Sequence, residues 1–487
     1  MLIQRTFLFL IFKIKTVRYR EKEFAMTNKT KNNDNAHLQR SLTSRHITML
    51  ALGGAIGAGL FKGSANAVHT AGPSVILCYL LGGLILLFIM QGMAEMAANN
   101  PSATGFSGLL QPILGPFAAY LVDWAYFTMW FVDLTAEAVA AASFIQIWFP
   151  TVPTWLIVLV IAVVISGINL LSVRWFAETE YWLAIMKIAV IIFFIFAGIF
   201  LIARNMMTTN HAFVNLTVHG GFFPHGAFGF LSAMLIVIYS FAGSELIGIT
   251  LGEVKDPQKV IPHAVHGIMF RIISFYLIPF FIIVTLFPWD QLTDKVSPFV
   301  SVFRLLNIPF ASDIVNFVII LALISSINSG IYSASRLLFV QNQRNKRQTK
   351  VTTALTRLNK HFVPYMAVLM CSLSLFAGVL LTYFIGNTLF DYLVGSISYT
   401  ILVIWILLCL GHIRSRRYKF DDTTYHVSLY PWTSYFSLIA LVLVFFGILF
   451  STNIIVTVLT IAIYVGICAY YYFTQRESLY EKSKINK

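Results

Sequence analysis

Three ionisable residues lie inside long apolar stretches of this sequence, where a charged group is costly to bury. Lys187 follows the run YWLAIM, Glu137 ends the segment DLTAE, and Glu245 ends the segment YSFAGSE. Ionisable side chains within membrane segments are rare, and they commonly bind a substrate or an ion or relay a proton. A buried ammonium group can hold and release a proton, and a carboxylate can accept a proton or a cationic group. These three residues are therefore the first candidates for chemistry, provided that helices hold them in the interior.

Each candidate also has a structural interpretation. Lys187 can extend its ammonium group to the cytoplasmic end of its helix and take no part in proton transfer. Glu245 can line a substrate path, or it can accept backbone amides where its helix is interrupted, and we favour the second role. Glu137 can reach a substrate or a proton, or it can pair with a neighbouring helix. Glu95 and Arg271 are expected near the cytoplasmic boundary, with structural roles.

The composition indicates that these residues belong to a membrane protein. Of the 487 residues, 58% are hydrophobic and only 11% are charged, whereas soluble domains carry about 25% charged residues. A single soluble core stops growing at roughly 250–300 residues, so it cannot bury this much apolar sequence. Runs of about 20 apolar residues, each long enough to cross a bilayer, recur along the chain. They predict twelve transmembrane helices at residues 47–66, 74–98, 117–148, 154–173, 181–203, 227–251, 267–288, 310–340, 362–384, 389–411, 433–451 and 454–474.

The basic residues orient these helices. The net charge of +14 does not indicate a nucleic-acid partner, because Lys and Arg are concentrated in short segments between the apolar runs. One alternate set of loops is rich in them, and it includes Arg40, Arg174 and the segments 344–360, 414–419 and 476–487. Cytoplasmic loops carry the excess of positive charge in membrane proteins. We therefore expect both termini in the cytoplasm, which agrees with an even number of helices.

Two of the predicted helices contain segments that favour an interruption. Residues 53–61 (GGAIGAGLF) place four glycines in the first helix, and residues 239–245 (YSFAGSE) lie within the sixth. Glycine weakens a helix and lets other groups approach its backbone, although small residues also serve close helix packing. Two such segments at corresponding places in two halves are typical of carriers with a site at the membrane midplane. Free amides there attract a carboxylate and free carbonyls accept an ammonium group, so a zwitterionic amino acid suits the site.

A series of motifs carries a family resemblance that extends from about Leu38 to the end of the chain. The motifs are residues 38–46, 53–61, 71–74, 92–96, 100–106, 239–248, 252–257, 328–336 and 405–412. They resemble the bacterial amino acid permeases, the amino acid transporter family of the amino acid–polyamine–organocation superfamily. Residues 106–110 and 337–344 depart from the family's usual pattern on the cytoplasmic side. The series is specific for the family and says little about the substrate.

The resemblance implies an all-α fold of the leucine-transporter class. Helices 1–5 and 6–10 would form a 5+5 inverted repeat, and two further helices would lie outside this core. The substrate carboxylate would lie against Ile56–Gly59, and its amino group would meet carbonyls near Tyr239–Ala242, with Tyr239 or Phe241 as an aromatic lid. The substrate-binding residues that follow from this are Ala55, Ile56, Gly57, Ala58, Gly59, Tyr239, Ser240, Phe241, Ala242 and Gly243.

The resemblance also implies a role for Lys187 in proton coupling. In proton-coupled relatives a lysine of the fifth helix resembles Lys187, and its ammonium group occupies the place of a sodium ion in sodium-coupled relatives. Lys187 would then face the broken first helix near Gly54–Gly57 and the hydroxyl groups of Ser325 and Ser326.

A carrier fits these features better than other classes of protein. The sequence contains no HExxH, GxSxG or Walker A motif, so neither an enzyme nor an ATP-driven pump is indicated. No cofactor motif occurs, and the four cysteines lie singly in apolar stretches without metal-ligand spacing. A non-transporting amino acid receptor on the same fold is an alternative, but such receptors usually carry a soluble signalling domain, and no polar segment of that length is present.

The sequence predicts an importer of small neutral amino acids, such as alanine, serine, glycine or proline. It would work by proton symport and alternating access in the cytoplasmic membrane, with the amino acid, protons and the lipid bilayer as its partners. An exchanger that uses the same site is the alternative. The small residues around Ala55–Ala58 and Ala242–Ser244 would leave room for the substrate's side chain. The oligomeric state is left open.

Three regions follow from the hydropathy pattern. Residues 1–45 are expected to be a cytoplasmic N-terminal tail, residues 46–474 the transport domain, and residues 475–487 a cytoplasmic C-terminal tail. The apolar run in residues 1–25 is too short to span a membrane and lacks a signal-peptide cleavage site. Our hypothesis is that Met26 is the native start, which mass spectrometry of the N-terminal peptide would test.

Overall fold

A computed structural model describes most of the chain. The described residues are 56–100, 103, 105–170, 173–209, 213–245, 265, 267, 270–293, 296–344, 349–360, 363–417, 425–451 and 453–485. Every regular element in these ranges is a helix, which confirms the all-α prediction. The predicted N-terminal tail, the glycines at 53 and 54, and Ala55 lie outside the described residues.

Within these ranges the chain forms sixteen α-helices, joined by loops and by short 3₁₀ or π turns. They are α1 (Ala58–Phe61), α2 (Gly63–Ala71), α3 (Val75–Asn99), α4 (Gly105–Leu114), α5 (Pro116–Ile145), α6 (Thr154–Asn169), α7 (Val173–Thr209), α8 (Gly226–Ser240), α9 (Ile278–Leu286), α10 (Pro298–Leu305), α11 (Ala311–Arg344), α12 (Lys350–Leu355), α13 (Tyr365–Ile385), α14 (Leu389–Ser415), α15 (Trp432–Ser451) and α16 (Ile454–Ile485).

The helices account for the predicted spans. By length and apolarity, seven continuous helical stretches of the described chain can cross a membrane. Two of them, Gly63–Asn99 and Tyr365–Ser415, each contain parts of two predicted spans. Three shorter apolar helices, Thr154–Asn169, Gly226–Ser240 and Phe270–Leu286, supply the remaining spans. The chain is therefore a polytopic membrane protein with the predicted number of transmembrane segments.

Several helix ends differ from the prediction for identifiable reasons. The helix predicted at 181–203 runs from Val173 to Thr209, and the one predicted at 454–474 continues to Ile485. Glutamate, arginine and lysine are good helix formers, so a helix rich in them extends beyond its apolar run. The first span was predicted to end at residue 66, but α2 continues to Ala71. It stops there because Gly72 has a positive φ of 64°.

The contacts between helices follow an inverted repeat. In a 5+5 repeat the third span corresponds to the eighth, and the fifth span corresponds to the tenth. Helix α5 therefore corresponds to α11, and helix α7 corresponds to α14. The contact of α5 with α14 then becomes a contact of α11 with α7, and both contacts are present. In the same way, the contact of α3 with α14 becomes the observed contact of α9 with α7. The corresponding members α2 and α8 pack directly on each other, as do α6 and α13.

The last two spans lie at the side of this core. Helix α15 contacts α3, α8 and α14, and α16 contacts α14 and α5. In the apolar stretch that could cross the membrane, only 17% of α16 is buried inside the protein, compared with 78% of α11. An apolar surface of this kind suits lipid chains. The interior of the ten-helix core therefore holds the polar groups that could form a site.

Candidate functional site

The first span is interrupted where its glycines predict a break. Gly57 is extended, with φ of −138° and ψ of −153°, and α1 begins at the next residue. The backbone N–H of Ala58 therefore has no partner within its own helix. It donates a hydrogen bond of 2.9 Å to Oε1 of Glu137 on α5. The Glu137 side chain is only 4% exposed, so this carboxylate lies in the protein interior.

The sixth span is interrupted at the predicted place. Helix α8 ends at Ser240, and residues 241–245 form turns in which Gly243 has a positive φ of 85°. The Ser240 carbonyl accepts a hydrogen bond of 2.8 Å from the Tyr276 hydroxyl. The buried carboxylate of Glu245 accepts the Gly243 N–H at 3.4 Å. That contact agrees with the structural alternative for Glu245, although its role stays a prediction.

The two interruptions meet because glycine permits a close approach. A Cβ on Gly59 would lie 2.6 Å from the Cα of Ser240, a backbone atom that cannot easily move. A Cβ on Gly57 would lie 2.2 Å from Oε1 of Glu137. Larger residues at these two positions would therefore separate α1 from α8 or displace the carboxylate. The glycine pattern in the sequence thus corresponds to a real steric requirement.

A polar cavity lies between the two interruptions, and we name it the central cavity. About 20 Å³ of it is open to a water-sized molecule, which is room for about one water. Carboxylates, an indole and backbone groups surround this space. Its lining residues are Gly57, Gly59, Met129, Trp130, Asp133, Glu137, Tyr239, Ser240, Ala242 and Gly243.

Lys187 lies beside this cavity in a group of polar side chains that we name the Lys187 cluster: Glu180, Lys187, Ser325, Ser326 and Glu137. The Lys187 side chain is 1% exposed, so it does not extend to the membrane surface. Its Nζ lies 3.5 Å from Oγ of Ser326 and 3.9 Å from Oε1 of Glu180. Ser326 in turn donates a hydrogen bond of 3.3 Å to the carbonyl of Ile56. A chain of polar contacts therefore joins Lys187 to the break in the first span.

Not every predicted residue occupies its expected position. The Ser325 hydroxyl donates to Glu180, the carboxylate that lies 3.9 Å from the Lys187 ammonium. The Phe241 ring is buried between Tyr79 and Tyr276, with ring centroids 5.8 Å and 4.7 Å away, and it does not line the central cavity. Of the two residues proposed for the aromatic lid, only Tyr239 faces the cavity. The remaining predicted residues that line it are Gly57, Gly59, Glu137, Ser240, Ala242 and Gly243.

Two acidic residues of the site were missed by the sequence analysis. Asp133 lines the central cavity, and it lies four positions before Glu137, a spacing that puts both carboxylates on one helix face. Glu180 lies seven positions before Lys187, which also places both side chains on one face of α7. These spacings were available in the sequence. Only the direction in which each face points required the structure.

The site can bind a small charged molecule but holds no evident metal site. Among the described residues, no three His, Cys, Asp or Glu side chains are grouped so that they could hold a metal ion. The groups around the cavity are amides, carbonyls, carboxylates and one ammonium, which can bind a zwitterion and exchange protons. A cavity between two interrupted helices in the middle of a polytopic bundle defines the class of membrane carriers.

Comparison with known proteins identifies the family within this class. Residues 46–486 match the amino acid permease family, and the chain belongs to it. The protein is therefore a permease of amino acids and not an enzyme. The match covers all the described transmembrane helices.

Three relatives illustrate the range of the family. An uncharacterised amino acid permease of Bacillus subtilis, YvbW, is 51% identical, over 90% of this chain and 98% of the relative. The aromatic amino acid permease FywP of Lactococcus lactis is 39% identical, over 92% of this chain and 98% of that protein. The probable threonine/serine transporter YbxG of Bacillus subtilis is 36% identical, over 90% and 96% of the two chains.

Proposed function

We propose that this permease imports small neutral amino acids across the cell membrane together with protons. One observation carries the proposal: the buried ammonium of Lys187 contacts Ser326, whose hydroxyl donates to the Ile56 carbonyl at the break of the first span. A change in the protonation of Lys187 would alter the hydrogen bonds that hold this break. Binding of a substrate at the break would in turn alter the environment of Lys187, and such reciprocity is what coupling requires.

The central cavity offers a partner to each charged group of an amino acid. Its carboxylate would bind the amides at Ile56–Gly59, where the Ala58 N–H now donates to Glu137. Its ammonium group would meet the carboxylates of Asp133 and Glu137 and the carbonyls near Tyr239–Ala242. In this arrangement Glu137 leaves the Ala58 amide when the substrate carboxylate arrives, and it then faces the substrate's ammonium group.

The size of the central cavity favours a small substrate. About 20 Å³ is open between the two interruptions, so even a small amino acid requires the helices to separate slightly. A larger side chain would require a larger movement of tightly packed helices, which costs more free energy. Among small amino acids we favour serine, because the Asp133 carboxylate in the cavity wall can accept a hydrogen bond from a hydroxyl group.

The distribution of basic residues supports the proposed direction of transport, from outside the cell into the cytoplasm. The loops rich in Lys and Arg are proposed to lie, together with both termini, on the cytoplasmic side. The opposite side carries the connections at residues 146–153 and 386–388. In this orientation the substrate enters beside α2 and α14.

The experiment is uptake of radiolabelled amino acids into proteoliposomes with an imposed inward proton gradient and no sodium. Serine, alanine, glycine, proline, threonine and phenylalanine would be compared. Concentrative uptake that a protonophore abolishes is the expected result. Uptake that occurs only when the vesicles are preloaded with amino acid would make the protein an exchanger, and uptake of phenylalanine alone would overturn the proposed substrate class.

A further inference from the structure

An apolar groove lies on the lipid-facing side of the bundle, away from the central cavity. Its volume is about 670 Å³, within the range of about 300–1,000 Å³ that small-molecule pockets occupy. Helices α14, α15 and α16 form its walls, and we name it the membrane groove. The residues of α16 that line it include Thr457, Ile461, Tyr464, Cys468 and Tyr472. They recur every three or four positions, so the groove follows one face of α16 for about 22 Å, at 1.5 Å per residue.

The helices around the membrane groove are fixed at both of its ends. Near the start of α16, the Tyr399 hydroxyl and Oγ1 of Thr457 are hydrogen-bonded at 3.2 Å, and the Tyr399 ring lies edge to face with Phe445, with centroids 5.7 Å apart. At the other end, Tyr471 of α16 packs against Tyr120 of α5, with ring centroids 4.9 Å apart. Helix α16 therefore packs on α14 and α5, while α15 packs on α3, α8 and α14. The groove is the space that this arrangement leaves between α15 and α16.

The lining of the membrane groove suits a hydrocarbon chain. Among the described residues that line it, none is charged. Its threonine hydroxyls are already used, since Thr457 bonds to Tyr399 and Thr460 bonds to the carbonyl of Val456. The charged groups of an amino acid would lose their hydration here without gaining ionic partners, which is costly. The groove therefore differs from the central cavity, whose wall carries carboxylates.

A hydrogen bond shows how α14 and α16 are aligned. The Thr460 hydroxyl donates to Oγ of Ser396 at 3.1 Å, so these two residues lie at the same level. The two helices run in the same direction, because the chain crosses the membrane once, in α15, between them. Tyr472 follows Thr460 by twelve positions, and Leu410 follows Ser396 by fourteen. The groove therefore ends near the level of Leu410, an exposed residue seven positions after Val403 and on the same face of α14.

Two exposed arginines lie just beyond this end of the groove. Arg414 follows Val403 by eleven positions, about three helical turns, so it lies on the same face of α14. Arg417 lies in the turn after α14, and its N–H donates to the Arg414 carbonyl at 3.1 Å. Both side chains are exposed, whereas Arg416 between them is bound to Glu95. Arg414 lies about 16 Å along the helix from Val403, close to half of the hydrocarbon thickness of a bilayer, which is about 30 Å.

We propose that the membrane groove binds an anionic phospholipid, with one acyl chain along α16 and the headgroup at Arg414 and Arg417. Basic residues at the end of a membrane helix attract anionic headgroups, and the groove supplies apolar contact for the chain. The alternative occupant is a second copy of this protein. A second copy that docks at the same groove brings the same basic end of α14, and like charges repel each other. Charge complementarity therefore favours the lipid, which links α14 to α16.

The test is native mass spectrometry of the purified full-length protein. After bound lipid is removed in detergent, phosphatidylglycerol or phosphatidylcholine with the same acyl chains is added. The wild-type protein is expected to retain one phosphatidylglycerol per chain and to bind phosphatidylcholine more weakly. The double variant Arg414→Gln/Arg417→Gln should weaken phosphatidylglycerol binding roughly 25-fold, about fivefold for each arginine. The matched control is Arg357→Gln/Lys360→Gln, which removes two exposed charges elsewhere on the side proposed to be cytoplasmic and should leave this binding unchanged.

A second pair of variants tests the groove itself. Cys468→Trp fills the groove and should abolish retention of phosphatidylglycerol. Leu459→Trp is its control, because Leu459 is 59% exposed and lies nine positions away, on the opposite face of α16. Size-exclusion chromatography checks the folding of each variant, and the arginine variants decide the outcome if Cys468→Trp does not fold. Equal binding of the two lipids to the wild type, full retention of phosphatidylglycerol in Cys468→Trp or in the double arginine variant, or dimers that form in place of lipid binding would each overturn the proposal.

Discussion

Two buried groups of charged residues in this permease have similar composition and opposite character. The first is the Lys187 cluster beside the central cavity. The second, which we name the Glu95 cluster, consists of Glu95 on α3, His412 and Arg416 at the end of α14, and the backbone of Val427. Each contains a carboxylate that is 1% exposed or less and a basic partner. They differ in their surroundings, because the Glu95 cluster joins the ends of helices and the Lys187 cluster lies beside a cavity and an interrupted helix.

The Glu95 cluster is tightly paired. Its carboxylate lies 2.5 Å and 2.8 Å from two guanidinium nitrogens of Arg416, 2.8 Å from the Val427 N–H and 3.4 Å from the His412 ring. These contacts tie α3 to the end of α14 and to the segment before α15. Charged contacts of this kind between neighbouring segments hold a structure together. These contacts agree with the structural role that the sequence predicted for Glu95, and that role stays a prediction.

The Lys187 cluster has different surroundings. The contacts of the Lys187 ammonium with Ser326 and Glu180 are 3.5 Å and 3.9 Å long. A cavity and an interrupted helix lie next to it, so its partners can change without unfolding a helix. Buried charges packed at helix ends favour one conformation, whereas buried charges next to a cavity and an interrupted helix can favour several. We propose that the Lys187 cluster serves the transport cycle and that the Glu95 cluster serves the fold.

The largest effect is expected from a substitution that pushes apart α1 and α8, the two helices that meet beside the Lys187 cluster. Gly59→Ala would place its methyl carbon 2.6 Å from the Cα of Ser240, well inside van der Waals contact. The first span must move away from α8, and uptake should fall to background while the protein remains in the membrane. Gly167→Ala is the matched control, because a Cβ there meets nothing within 4 Å. Normal uptake in Gly59→Ala would show that the close approach is not needed.

The next prediction removes the ammonium group of the Lys187 cluster. Lys187→Ala should abolish uptake driven by a pH gradient, because the chain of contacts from Lys187 to Ile56 loses its proton carrier. Exchange of amino acid between preloaded vesicles and the medium is measured in parallel, and this exchange should persist at a reduced rate. Unchanged accumulation in Lys187→Ala would contradict the coupling role and would make the two clusters functionally alike.

The third prediction addresses the Glu95 cluster. Glu95→Gln replaces a charged acceptor and should lower the free energy of unfolding by about 1.5–3 kcal/mol, the usual value of hydrogen bonds to charged groups. Unfolding of the purified protein in a denaturing detergent measures this change. Uptake per folded molecule should remain close to that of the wild type. If uptake is lost without any loss of stability, Glu95 belongs to the transport cycle and the comparison fails.

The smallest effect is expected from the hydroxyl group that links Lys187 to the first span. Ser326→Ala removes two long hydrogen bonds, one from Lys187 and one to Ile56, and at the low end of about 0.5–1.5 kcal/mol each they change an affinity by roughly 5- to 10-fold. The apparent KM for uptake should rise within this range. Ser329→Ala is the control on the same helix, because the buried Ser329 hydroxyl has no hydrogen-bond partner among the described residues. If Ser326→Ala and Ser329→Ala change the apparent KM equally, the Ser326 hydroxyl has no part in the proposed mechanism.

The sequence predicted the fold and part of the site. Long apolar runs must lie in lipid as helices, since a backbone in hydrocarbon has to satisfy its own hydrogen bonds. The glycines and the YSFAGSE segment predicted the two interruptions for a local reason, the freedom of the glycine backbone. Asp133 and Glu180 were missed, although their spacing from Glu137 and Lys187 put each pair on one helix face.

Local sequence thus determined where helices form, where they are interrupted and which charges are buried, because each of these depends on neighbouring residues along one helix. Only the tertiary structure decided which buried charge faces which. Glu137 meets the Ala58 amide across 79 positions of the chain, and Asp391 meets Asn66 across 325. Such contacts depend on how several helices rotate and pack around each other. That rotation also decided that Phe241 packs against Tyr276, whereas Tyr239 faces the central cavity.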